Sequence, residues 1–228
     1  GGDTIKDPEY FKYFKKLVTR AKIKNVTRRA KNILIHLSND YTILIHMKMT
    51  GHVMYGNYNR KDPFNRFIRL IFYLSNGKTM ELCDTRKFAK VTLLPSKTMH
   101  ETIHLKGIGP EPLEKEFTFD IFKKQLNIRP QYKIKLALLD QTLIAGIGNI
   151  YSDESLWRSG IHPETLVRKI DDSKLRELYK AIRNTLSMGI DFGGDSMSDY
   201  RNIDGERGKF QEKHMAYKRK GEKCLKKG

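Results

Sequence analysis

The chain has 228 residues, with 44 lysines and arginines against 26 aspartates and glutamates, a net charge of +18 at pH 7. That length allows one or two domains with real cores, and no stretch reads as a bilayer span or a secretory leader. Its two cysteines, Cys83 and Cys224, lie far apart, which argues against a disulfide framework and fits a reducing compartment. The cations are spread along the body rather than gathered in one tail, which points to a polyanion-binding surface; a merely lysine-rich, well-solvated protein is the plainer alternative. A cytoplasmic monomer without a membrane partner is expected.

Residues 7–19 (DPEYFKYFKKLVT) read as a short helix: Asp7 caps it, Pro8 takes the first helical position, and Phe11, Phe14, Leu17 and Val18 share a face. From about 21 to 97 the period is two, with strands predicted at 33–37, 42–47, 67–74, 79–82 and 89–94 and turns at Asn39-Asp40 and Asn76-Gly77. Short strands this closely spaced predict an antiparallel sandwich or barrel. IGPEPLE, 108–114, is a stiff linker. Beyond it the pattern is helical at 118–126, 134–141, 149–159 and 172–190, the last with Leu175, Leu178, Tyr179, Ile182 and Leu186 on one stripe. Residues 192–209 are polar and glycine-rich without a period, a long loop. The fold class expected is α+β: an antiparallel β-sandwich over 1–107, the linker, an all-helical domain over 115–216, and a basic terminal segment over 217–228.

Several runs carry chemistry. In LALLDQTLIAGIGNIYSDESLWRSGIHPE, 136–164, two helices flank a turn holding Gly146, Gly148 and Asn149. The first amides of a helix have no internal partner and the helix dipole favours an anion there; glycine lets backbone approach a phosphate, and Asn149 can cap its helix or donate to that phosphate. In CDTRKFA, 83–89, Arg86 and Lys87 precede Phe88 between two strands. An aromatic on such a turn can wedge between base steps while a guanidinium reads an exposed base edge. In VTRRAKNILIHL, 26–37, Arg28, Arg29 and Lys31 are read as opening a strand and lining a sheet edge. In HMKMTGH, 46–52, Met49 precedes a Thr-Gly turn, where an exposed methionine can fill the space left by an extruded base. Each signal has an ordinary alternative: a tight helix–helix turn, Phe88 folded into the core, a solubilised sheet edge, a core methionine. His46 and His52 have no acidic partners nearby in sequence, and His162 before a proline and the remaining histidines support no metal site either, so none is expected.

Taken together, these runs resemble the formamidopyrimidine-DNA glycosylases and their endonuclease VIII-like relatives. LLDQTLIAGIGNIYSDESLWRSGIHPE looks like that family's helix–two-turn–helix signature, and RRAK, IHMKMTG, SNGK, DTRKFA, IGPEPL and AYKRKGEKC follow in the family's order, over about residues 20 to 224. The resemblance implies base-excision repair: a bifunctional DNA glycosylase and AP lyase that removes oxidised purines, of formamidopyrimidine or 8-oxoguanine type, from damaged double-stranded DNA by base flipping and Schiff-base chemistry. It implies that Lys31 touches the lesion phosphate and assists elimination, that Met49, Arg86 and Phe88 fill the hole left by the flipped nucleotide with Lys87 beside them, and that Gly146, Gly148 and Asn149 grip phosphate. Lys135 looks like a family lysine just before the hairpin. Arg66, Phe67 and Arg69 stand where the family has basic or histidine residues near DNA, and 193–209 resembles the loop that closes over the extruded base.

The sequence departs from the family pattern at both ends. The family's nucleophile is an N-terminal proline followed by glutamate, whose secondary amine attacks C1′ and forms a Schiff base before the strand is cut by β- and δ-elimination. This chain begins Gly1-Gly2-Asp3, and Pro8-Glu9 repeats the dipeptide only internally, where the nitrogen is an amide. A fragment lacking the family's opening helix and strands, and not competent for the Schiff-base step, is the expectation. The family also ends in a four-cysteine zinc ribbon. Cys224 matches its first ligand, but one thiolate does not hold a structural zinc, so no metal or other cofactor is expected in this chain. The alternative function is a non-catalytic damaged-DNA binding module of the same fold; a general RNA-binding protein, its wedge residues idle, is a third reading.

Overall fold

Helix α1, Pro8–Val18, begins as its cap chemistry dictates: Asp7 is extended and its carboxylate accepts the Tyr10 amide at 2.7 Å, with Pro8 in the first position. The computed structural model describes residues 4–5, 7–57, 61, 63–197 and 200–226. Seven strands follow: β1 (Ile23–Arg29), β2 (Asn32–Leu37), β3 (Tyr41–His46), β4 (His52–Gly56), β5 (Ile68–Tyr73), β6 (Thr79–Cys83) and β7 (Lys90–Pro95). They form two antiparallel sheets ordered β1-β2-β3-β7 and β4-β6-β5. β1 and β4 are not among the strands predicted from periodicity. β1, IKNVTRR, is an edge strand exposed along nearly its whole length, so it shows no apolar alternation. β4 has only five residues, too few for a period to emerge.

The sandwich core joins Ile35, Leu37, Ile43, Ile45, Val91 and Leu93 of one sheet to Leu82 of the other, with Phe14 of α1 closing it at 6.2 Å from the Phe72 ring. Burying each such side chain stabilises the fold by about 1.5–3 kcal/mol. Two links cross from sheet to sheet, 47–51 between β3 and β4 and 84–89 between β6 and β7. His46 pairs with Lys90, and His52 with Cys83, so both links leave from the same end of the strands.

The helical part contains α2 (Phe119–Asn127), α3 (Ile134–Leu139), α4 (Asn149–Ser159) and α5 (Asp172–Asp191). Thr118 and Asp171 cap α2 and α5, accepting the Ile121 and Lys174 amides. α4 stops at Gly160, whose left-handed φ of +67° turns the chain out of the helix. α3 is shorter than the predicted 134–141 because Asp140 leaves the helical region and its carboxylate takes the Thr142 amide at 2.9 Å and hydroxyl at 2.7 Å. Phe117, Phe122, Leu126, Leu138, Ile144, Leu156, Leu178 and Ile182 make a separate core.

The chain divides into two compact units, residues 1–106 with 193–208, and 107–192 with 209–228. The loop 193–208 thus belongs with the sheets, not with the helices among which the boundaries 115–216 had placed it. The Ile203 carbonyl accepts the Tyr55 amide of edge strand β4 at 2.8 Å. That attachment is made by backbone, which side-chain periodicity does not announce. Among the described residues, no helix is long and apolar enough to cross a membrane.

Candidate nucleic-acid interface

The two crossover links of the sandwich bring Met49, Arg86 and Phe88 together. One Arg86 guanidinium nitrogen lies 3.3 Å from the Met49 sulfur, and the guanidinium carbon lies 4.7 Å from the centre of the Phe88 ring. Met49 is 68% exposed and Phe88 43% exposed, so neither is the core residue that its hydrophobicity alone would suggest. Lys87 is exposed between them in the left-handed region, φ +60°. On the neighbouring link, a Cβ at Gly51 would sit 2.4 Å from the Met47 carbonyl oxygen, so this turn closes only with glycine there.

Under the cluster lies Asp84, fully buried, which sequence reasoning did not single out. One carboxylate oxygen accepts the Ala89 amide at 2.7 Å; the other accepts the Thr50 hydroxyl and, at 3.2 Å, the Arg86 amide. Burial pushes its pKa up, but the Ala89, Arg86 and Phe88 amides and the Thr50 hydroxyl outweigh that and hold it below the ordinary carboxylate value. Its backbone is engaged as well: the Asp84 amide donates to the Phe67 carbonyl at 2.9 Å, and Arg69 Nε donates to the Asp84 carbonyl at 2.8 Å. Arg69 therefore braces the turn, while Arg66 is exposed with its guanidinium 4.7 Å from the Phe67 ring centre.

Arg28 and Arg29 close β1 rather than open a strand, and Lys31 follows in the turn before β2. The turn forms because Ala30 takes φ +51° and buries its methyl, with Arg28 donating to its carbonyl at 3.0 Å. Lys31 is exposed as a residue, yet the protein around its ammonium disfavours the charge and lowers its pKa. His46, the strand partner of Asn32, feels the same surroundings. Burial first, then the charges of Lys48 and Lys31, bring its pKa down to about 4. Its Nδ1 accepts the Lys48 amide at 3.0 Å, which fits a neutral ring protonated on Nε2. Nothing in the local sequence announced this pairing, because Lys31 and His46 meet only through strand register.

In the helical unit the cap of α4 is Gly148, and Asn149 is the first helical residue; the capping role open to Asn149 in the sequence is not the one it takes. The amides of Asn149 and Ile150 have no acceptor within the helix, and the cap offers no side-chain bond. Gly146 faces the other way. Its φ is +83° and its amide donates to the Gln141 side chain at 2.8 Å, while the Gln141 amide group holds the Leu139 and Ile147 carbonyls at 3.0 and 2.9 Å. Gln141 thus staples the turn and Gly146 shapes it, which leaves the Asn149 and Ile150 amides as the ones at this turn without an acceptor inside the helix. Lys135 is paired with Asp153 of α4 at 2.7 Å. Further along α4, the buried Glu154 carboxylate accepts the Met215, Ala216 and Tyr217 amides at 2.9–3.0 Å and anchors the basic tail.

The residues present do not fit a zinc ribbon. Among the described residues no three histidine, cysteine or acidic side chains gather as a metal site. Cys224 is exposed, its thiol pKa lowered by the Lys226 amide and then by the Trp157 side chain, and Cys83 is buried in the sandwich.

An exposed Met–Arg–Phe cluster in one unit and, in the other, a helix start whose first amides lack an intrahelical acceptor are the chemistry a DNA-binding repair protein would present. Known proteins narrow the class. The family model described as the formamidopyrimidine-DNA glycosylase N-terminal domain matches residues 3–91, and that of the formamidopyrimidine-DNA glycosylase H2TH domain matches residues 108–201. The formamidopyrimidine-DNA glycosylase of Pelotomaculum thermopropionicum is 40% identical over 96% of this chain and 78% of its own length, and that of Bacillus subtilis 36% identical over 96% and 78%. The Lactococcus lactis Fpg solved in complex with an abasic site containing DNA is 31% identical with a TM-score of 0.84, over 96% of this chain and 79% of that one. MutM in complex with carbocyclic 8-oxo-G containing DNA is 32% identical with a TM-score of 0.84, over 96% and 78%. The chain belongs to the formamidopyrimidine-DNA glycosylase family.

Proposed function

We propose that this chain binds damaged double-stranded DNA as a monomer, in the cytoplasm, in the service of base-excision repair, as part of a DNA glycosylase and AP lyase acting on oxidised purines of the formamidopyrimidine and 8-oxoguanine type. The observation that carries the reading is the exposure of Met49, Arg86 and Phe88 in mutual contact at one end of the sandwich. Extruding a nucleotide leaves a gap in the base stack. Phe88 and Met49 supply the apolar area to fill it, and the Arg86 guanidinium supplies donors for the orphaned base opposite. Lys31 on the sandwich and the open amides at the start of α4 each suit a phosphate. The lesion class is supported by the relatives solved on DNA containing an abasic site, Fapy-dG or carbocyclic 8-oxo-G.

Binding is tested by fluorescence anisotropy with a duplex containing a tetrahydrofuran abasic analogue, against the same intact duplex and against single-stranded RNA. The abasic duplex is expected to bind about 10–100-fold more tightly than the intact one, and the double variant Met49→Ala/Phe88→Ala to lose most of that ratio, since filling a hole is worth a few kcal/mol. Equal affinity for all three nucleic acids would support the RNA-binding reading instead. In the 228-residue polypeptide Pro8 is an internal residue in the first turn of α1, its nitrogen an amide and no nucleophile. Borohydride trapping of the 228-residue polypeptide on oxidised-guanine duplex is therefore expected to give no efficient covalent complex; a strong crosslink would refute that part.

A further inference from the structure

We propose that Asp84 is the positioning residue of the wedge: its buried carboxylate locks the Met49–Thr50 turn to the Arg86–Phe88 turn in the arrangement a lesion requires, before any DNA arrives. The inference rests on the lesion-binding reading above and deepens it. Met49 and Phe88 are apolar groups standing in water; on slack turns they would fold down onto the sandwich, and reordering them would weaken every encounter with DNA. Asp84 removes that slack. One of its oxygens ties Thr50 of the first crossover to the Arg86 amide of the second, and its other oxygen ties Ala89 at the far side of the wedge. Its own amide and carbonyl fasten it to Phe67 and Arg69. A carboxylate out of water is destabilising unless donors surround it; here they do, and all come from the elements that carry or brace the wedge. Asparagine has the same shape but turns one acceptor into a donor, which then faces an amide or hydroxyl that is also a donor. Thr50→Val removes the hydroxyl alone at nearly constant volume.

The test measures affinity for intact and abasic duplexes, with 2-aminopurine placed opposite the abasic position to report local stacking. Asp84→Asn and Thr50→Val are expected to bind intact duplex within about two-fold of wild type, with the same salt dependence. Their preference for the abasic duplex falls on the order of ten-fold, and the 2-aminopurine response falls with it. Adding Asp84→Asn to Arg86→Ala is expected to remove little more than Arg86→Ala alone, because both act through one turn. Additive losses, an unchanged preference, or equal weakening on both duplexes overturns the role of Asp84. Should Asp84→Asn fail to fold, Thr50→Val decides by the same criteria. A wild-type protein without abasic preference overturns the lesion-binding reading and this inference together, whereas a preference that survives both substitutions overturns the inference alone.

Discussion

At His46 the surroundings settle a protonation state. Burial and the neighbouring Lys48 and Lys31 charges place its folded pKa at about 4, against about 6.5 in an unfolded chain. The folded state therefore favours the neutral ring. Its contribution is fully present above about pH 6.5 and is lost as pH falls from there toward 4, because the unfolded chain takes the proton first. Allowing for solvent screening, the loss is on the order of 1–2 kcal/mol. Melting temperatures of wild type and His46→Asn followed from pH 7 to 4 check this: the variant's profile is expected to be the flatter, and parallel profiles would show a ring that titrates freely. Met49, Arg86 and Phe88 were singled out in the sequence through the family resemblance; their turn positions alone left the core and surface readings open. His46 and Asp84 were not, since what makes them special comes from Lys31, Thr50 and Ala89, brought to them by strand pairing and crossovers.

Among the elements, α4 offers a separation of stability from binding. Asn149→Asp puts a negative charge in the first turn, where the helix dipole favours it by about 0.3–1 kcal/mol. The same charge repels a phosphate approaching the amides of Asn149 and Ile150. A higher melting temperature with weaker duplex binding is the expected pair of results, read by calorimetry and anisotropy; improved binding would place the phosphate elsewhere. At Glu154 the expectation concerns the tail. Glu154→Gln weakens charge-assisted bonds to three successive amides, at about 1.5–3 kcal/mol for a bond to a charged group, so hydrogen exchange at 215–217 quickens while α5 is unaffected. The helices were readable because caps and stripes are local: Asp7, Thr118 and Asp171 each bond an amide three residues on. β1 and β4 were not, one exposed and one short, and both defined by their neighbours.

For the whole molecule the charge of +18 sets how it meets DNA. If about six phosphates are neutralised, affinity for any duplex falls about 10³-fold between 50 and 200 mM salt. Removing Lys31 by Lys31→Met is expected to lower the slope by about one without changing lesion preference, because a phosphate contact carries no base information; a changed preference would mean that Lys31 reads the lesion itself. The overall class was legible in composition and in the order of the motifs, while the membership of 193–208 was not, since it depends on a backbone bond to the edge of β4. That bond has a consequence for cutting the chain. A nick after Lys106 yields two polypeptides, yet the second still carries the segment whose Ile203 carbonyl docks on Tyr55 of the first. Residues 1–106 and 107–228, coexpressed, are expected to copurify as a complementing pair, and deleting 193–208 to release the partner. The loop is in that sense a piece of the sheet unit carried on the later stretch of chain, and its bond to β4 is made across the cut.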